Sequence, residues 1–235
     1  MTLLNISLRE TLELIKQYGG KSYSVQPLVK PRLKSFKYPS SCSPMGPQHR
    51  NYLESRDFDP DQIEHAWGVM GTGPVSTLDK KDYKHRLIIP IKWKEKVVSF
   101  QGRAISKKTK LRYKACPLDR EEIPHQTILY GKQSQWTDIG ICVEGVTDVW
   151  RLPSSTAIFG ISFTPSQIRA LVQYFTRVII LFDDDPQAQI QAEKLMGELR
   201  FRGVKVHKEN IIGDPASMKQ EDANKLAKEL TRRIY

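Results

Sequence analysis

Residues 139–152 read IGICVEGVTDVWRL and residues 177–188 read RVIILFDDDPQA, and these two stretches decide the fold. Each opens on a short apolar run, passes through acidic residues and enters a helical pattern without a break. A continuous apolar run of roughly four to eight residues, bounded in this way, reads as a strand buried on both faces. The first stretch predicts a strand over IGICVE and a helix over EGVTDVWRL. Between the two stretches, TAIFG is a second strand, and Thr164 caps a helix over TPSQIRALVQYF with Pro165 in its first turn. RVIILFD is the third strand. A long helix then runs from Pro186 to Phe201, with Ala188, Ala192, Leu195, Met196 and Leu199 at helical spacing, and Gly203 stops it. VKVHK is the fourth strand, and a last helix covers residues 219–233. This alternation predicts a β/α module with parallel central strands.

Toward the N-terminus the pattern changes. RLIIPIKW and KVVSFQGR flank the charged link Trp93–Lys96 and predict an antiparallel hairpin, with shorter extended segments over Leu111–Ala115 and Thr127–Tyr130 closing this first module. Short helices are expected over Gln48–Arg56 and Pro60–Trp67, the second capped by Asp59. Residues 21–47 hold five prolines among Ser and Lys and read as a basic extended connector. Before it, Ser7 and Glu10 form a capping box that opens an amphipathic helix through Leu8, Leu12 and Ile15. The fold class is therefore mixed α/β. The expected division is an N-terminal helix and connector (1–47), a basic subdomain with an antiparallel hairpin (48–136) and the β/α module (137–235).

Composition narrows the function classes. The 235 residues are 39% hydrophobic and 27% charged, which suits a globular protein. No apolar run approaches a membrane span and no secretory signal is visible. Cys42, Cys116 and Cys142 stand singly, so neither a disulfide framework nor a four-ligand zinc site can be assembled. Cys42 and the nearby His49 read as ordinary loop residues. A reducing, cytoplasmic setting follows. The formal charge is +11, and residues 80–114 alone carry 13 basic residues against Asp82 and Glu95. Such clustering, interleaved with Trp93, Phe100 and Tyr113, points to phosphates of nucleic acid or nucleotides.

Ligands of an open parallel sheet bind beyond the carboxyl ends of its strands. There the sequence places Glu144, with Asp148 one helical turn on, then Asp183–Asp184–Asp185, then Asp214. Acids so close together repel one another, and a divalent cation relieves that repulsion. If the third strand continues through them, Asp183 and Asp185 share a side and could grip hydrated Mg²⁺. Asp185 is also placed to cap the helix that begins at Pro186.

In order, EGVTD, FGISFT, ILFDDDPQA and GDP resemble the TOPRIM domain shared by topoisomerases, primases and some nucleases. Upstream, Arg86-LIIPI, VVSFQGR, RYKACP and LYG resemble the basic core of bacterial and phage DnaG-type primases, and YLESRDFDPDQIEHAWGV resembles the segment that opens it. The likeness spans about residues 48–225. It implies that Glu144, Asp183 and Asp185 are catalytic and that, with Asp148 and Asp214, they hold Mg²⁺ or Mn²⁺. It implies that Arg86, Arg103 and Arg112 line the template and nucleotide path, with Lys110, Lys114 and Lys132 beside them. Three positions depart from the family: Ala216 replaces the last acid of Asp-Pro-Asp, His125 replaces a lysine shortly before LYG, and Arg112 replaces another lysine. The zinc-ribbon module and a helicase-binding region are not recognisable, and the small size suits a phage or mobile-element protein.

The resemblance implies a primer synthase acting on single-stranded DNA with nucleoside triphosphates, aided by a replicative helicase or a separate zinc-bearing component. Two alternatives stand beside it. A TOPRIM nuclease would use the same acids with water as nucleophile, and a non-catalytic strand-binding subunit would tolerate Ala216. Topoisomerase chemistry is disfavoured, because its tyrosine sits in a large separate domain.

Overall fold

The computed structural model describes residues 34–106, 108–211 and 213–233. The expected helix near Ser7–Ile15 and the first part of the connector lie outside the described residues. In chain order the elements are β1 (Cys42–Ser43), α1 (Pro47–Glu54), α2 (Pro60–Trp67), β2 (Met70–Thr72), β3 (Thr77–Leu78), β4 (Lys81–Asp82), β5 (Arg86–Trp93), β6 (Lys96–Ala104), β7 (Tyr113–Ala115), β8 (Ile139–Val143), α3 (Val146–Arg151), β9 (Ser155–Ala157), α4 (Pro165–Tyr174), β10 (Arg177–Ile180), α5 (Pro186–Phe201), β11 (Lys205–Lys208) and α6 (Gln220–Arg233).

An antiparallel sheet has the order β1-β2-β5-β6-β7, and its spine is the β5–β6 hairpin. Lys94 and Glu95 turn that hairpin with positive φ values of 50° and 62°, the left-handed pair that matches strand twist in a two-residue turn. Its apolar residues sort by face. Leu87, Ile89 and Ile91 enter the main core, whereas Ile88 joins Tyr83, Phe100 and Cys116 on the other side.

A second sheet is parallel throughout, in the order β11-β10-β8-β9. Its inner strands β8 and β10 are buried on both faces, as their unbroken apolar runs require, whereas the edge strand β11 alternates exposed and half-buried residues. Ile139, Ile141, Val143 and Ile179 face a core shared with α3 and α6, while Cys142, Val178 and Ile180 face α4 and α5. Gly140 is small because the Phe175 ring lies where a Cβ would stand, at 2.7 Å. Thr164 and Asp185 cap α4 and α5 as the sequence predicts, each followed by proline. No helix among the described residues is long and apolar enough to cross a membrane.

Two segments differ from expectation. Residues 127–130 form no strand of the first module: a single-turn helix at His125–Thr127 leads to one bridge, Tyr130 with Ala157, at the rim of the parallel sheet. The latter part of the connector is also ordered, because it has partners far along the chain. Cys42–Ser43 pairs with β2, and Phe36 and Tyr38 pack against Phe100. His49, expected in a loop, lies on α1 and is buried against β2, with Nε2 3.1 Å from the Thr72 carbonyl and its ring in the space a side chain at Gly71 would fill.

Candidate active site

Neighbouring strands β8 and β10 lead to helices in opposite directions along the sheet, β8 through α3 to β9 and β10 through α5 to β11. The crevice beyond their ends is where such a fold binds ligands. Glu144 and Asp183 follow these two strands, and the Asp183 N–H donates to Glu144 Oε1 at 2.8 Å. Asp148, on the first turn of α3, accepts from the Gly145 N–H at 2.8 Å and is 6% exposed. Asp214 accepts from the Ala216 N–H at 2.8 Å and completes the cluster. These four acids line one cavity with Arg56, Arg103 and Arg112.

The acids oppose one another's ionisation. Burial pushes Glu144 up to about 7, and the charges of Asp183, Asp185 and Asp214 add to the effect. Burial raises Asp148 as well, reinforced by Asp214 and Asp183, and burial with the charges of Asp214 and Asp185 raises Asp183. Hard oxygen donors among which Glu144, Asp148 and Asp183 resist ionising without a counter-charge fit a divalent cation in chemistry. Their oxygens are already partly engaged by backbone N–H groups, and among the described residues no three acidic, histidine or cysteine side chains close around a single ion.

Asp185 does not line this cavity. The strand ends at Ile180 instead of continuing through the aspartates, and Asp185 is an exposed N-cap whose Oδ1 accepts from the N–H groups of Gln187 and Ala188 at 3.0 and 3.1 Å. The expectation that it shares a side with Asp183 fails for that reason, although its charge still bears on Glu144 and Asp183.

A groove of about 740 Å³ adjoins the acids, lined by Gln48, Asn51, Lys110, Ser106 and the same three arginines, with no carboxylate among its described lining residues. The six candidate cations part company here. Arg103, Lys110 and Arg112 line the groove. Arg103 is buried, donating Nε–H to the Tyr52 hydroxyl at 2.6 Å and Nη1–H to the hydroxyls of Tyr113 and Thr147. Arg86 faces inward, its guanidinium donating to the carbonyls of Gly102, Leu111 and Arg112. It therefore shapes the loop that presents Arg112 and contributes no side chain to the groove wall. Lys114 donates to the Asp82 carbonyl at 2.8 Å, and Lys132 stands over the Trp67 ring; neither lines the groove. His125 is buried too, with Nδ1 2.5 Å from Glu121 Oε1, which also accepts from the Ser99 hydroxyl.

Arg56 escaped the sequence reading. It lies in the gap between the two short helices, and its guanidinium is 3.4 Å from Asp214 Oδ2 across 158 residues of chain. No local spacing signals such a pair; only its place in YLESRDFDPDQ, within the segment that resembles the start of a primase core, pointed toward the site.

No family model and no curated protein matches the sequence. Solved structures do. A DnaG primase catalytic domain bound to single-stranded DNA matches at 19% identity and a TM-score of 0.67, over 80% of this chain and 71% of that one. The zinc-binding and RNA polymerase domains of Aquifex aeolicus primase match at 21% and 0.65, over 96% and 66%. The primase fragment of the bacteriophage T7 primase-helicase protein matches at 16% and 0.50, over 87% and 84%. With its antiparallel sheet, its parallel sheet and the acids at the crevice between β8 and β10, the chain has the fold of DnaG primase catalytic cores.

Proposed function

We propose that this chain is a primase-like nucleotidyltransferase that builds short RNA primers on single-stranded DNA. The observation that carries this reading is the junction of two surfaces: Arg56, Arg103 and Arg112 line both the acid cavity and the carboxylate-free groove. A strand or triphosphate held by cations in the groove would meet the acids at its end. Glu144 and Asp183 would hold Mg²⁺ or Mn²⁺, with Asp148, Asp185 and Asp214 contributing charge around them. Such an ion, when bound, activates a 3′-hydroxyl and stabilises departing pyrophosphate. Arg103 fixes the hydroxyls of Tyr52 and Tyr113 at the boundary, and Arg56 keeps Asp214 turned to the cavity. The working partners are template DNA and nucleoside triphosphates in the cytoplasm, with a replicative helicase or a zinc-bearing component supplying template engagement.

The test is synthesis on mixed-sequence single-stranded DNA with labelled ribonucleotides and Mg²⁺ or Mn²⁺. Short ribonucleotide products are expected, and they disappear in the Asp183→Asn/Asp185→Asn variant. Metal-dependent cutting of DNA or RNA without synthesis would put a TOPRIM nuclease in its place. Salt-sensitive binding without chemistry would leave a strand-binding subunit. That second outcome has one observation in its favour, since Ala216 puts a fully buried methyl group where the family motif carries its last acid.

A further inference from the structure

The two ends of α3 line different cavities. Its first turn borders the acids, whereas Val149, Trp150 and Arg151 at its far end line a separate cavity of about 310 Å³. We propose that this second cavity binds a small phosphate-bearing molecule of about mononucleotide size, contacted by Lys132 and drawn by the buried charge of Arg151. The inference does not rest on the primase reading.

Charge selects the ligand class. The cavity is lined by two cations, Arg151 and Lys132, by Gln62, Gln135, Gln220, Ser154 and Ser155, and by apolar side chains, with no carboxylate among its described lining residues. Neither cation forms an ion pair with a carboxylate among the described residues, but the charges of Asp57 and Asp214 act on Arg151 through space. Arg151 is the unusual one. It is 1% exposed, and its terminal nitrogens donate to the carbonyls of Arg56 and Asp57 at 3.0 Å each and toward Gln220 Oε1 at 3.5 Å. The Phe58 ring lies 4.1 Å below it, and its Nε has no hydrogen-bond partner. Burying a guanidinium without a contacting carboxylate is costly, and the more distant charges of Asp57 and Asp214, the carbonyl dipoles and the ring face offset it only in part. An anion in the cavity would sit in the field of this buried charge, whose terminal nitrogens are already engaged, and would meet Lys132 directly. Lys132, placed over Trp67, supplies a second, more accessible cation, and the glutamines and serines offer neutral hydrogen bonds. The volume falls at the lower end of the roughly 300–1,000 Å³ typical of ligand pockets, which limits the occupant to mononucleotide scale.

Trp67 and Trp150 both line the cavity, so intrinsic fluorescence reports on it directly. Titration with AMP or inorganic phosphate, in EDTA to keep the acid cluster free of metal, should give a saturable change. Lys132→Gln should weaken it by about tenfold or more, as loss of a charge-assisted contact does, while Arg112→Gln leaves it unaltered. Arg151→Gln should weaken it as well. If that variant fails to fold because Arg151 also holds the 56–57 backbone, Lys132→Gln and Gln135→Leu decide the matter. No saturable change up to about 10 mM, beyond the range of even weak ligands, would overturn the proposal, as would affinity undiminished by Lys132→Gln or abolished by Arg112→Gln. Oligo(dT) that competes as well as AMP at equal phosphate would transfer the site to a strand and overturn the small-molecule assignment; failure to compete supports it.

Discussion

Glu144 has a pKa near 7, up from 4.5, and this has a measurable sign. Between those values the folded chain keeps a proton that the unfolded chain has released, so stability falls as pH rises through the window. Bound Mg²⁺ supplies the missing counter-charge and should offset that loss. The rise in Tm on adding Mg²⁺ is therefore expected to be larger at pH 8 than at pH 5.5, by a few degrees at roughly 2–4 °C per kcal/mol for a chain of this size. Glu144→Gln should flatten the difference, and equal Mg²⁺ shifts at the two pH values would show that the ion does not meet Glu144. The residue itself was legible in the sequence, because the strand end marks it. Its acidic neighbours were legible for the same reason, since Asp183 and Asp214 also follow strands; its burial, which is the main cause of the shift, was not.

At the level of the element, α5 poses the sharpest question, because Asp185 is both its cap and a candidate metal ligand. Asp185→Ala should cost about 1 kcal/mol of stability in urea unfolding through loss of the cap. Asp185→Ser keeps a capping oxygen and should hold stability to within about 0.5 kcal/mol, yet lose most primer synthesis if the charge serves the ion. A serine variant with full activity would reduce Asp185 to a cap. The β/α half was readable almost element by element, since strands buried on both faces leave unbroken apolar runs and Thr164–Pro165 and Asp185–Pro186 announce their helices. The connector at 34–46 and the segment 127–130 were not, because each is shaped by distant partners: β1 by β2, and Tyr130 by Ala157. The condition for Asp183 and Asp185 to share a side, a strand continuing through both, is not met, because β10 ends at Ile180, three residues before Asp183.

For the whole molecule, the basic excess proves unevenly deployed. Of the cations between residues 80 and 114, Arg103, Lys110 and Arg112 line the groove, while Arg86 is internal and Lys114 is held on Asp82. Arg112→Gln and Lys110→Gln should each lower the slope of log K against log salt for single-stranded DNA by about one. Lys94→Gln, in the β5–β6 turn outside the groove lining, should leave the slope unchanged. Equal effects from all three would mean that the strand is held by diffuse charge and not by the groove. The main core has a different reach: Leu87, Ile89 and Ile91 of the antiparallel sheet share it with Ile141, Val143, Trp150 and Leu230 of the parallel half. Splitting the gene between the two sheets would bare a seam of apolar side chains on both products, so this architecture resists being shuffled as separate modules. Its room for evolutionary variation lies in the surface loops, where new recognition can be added without opening that seam.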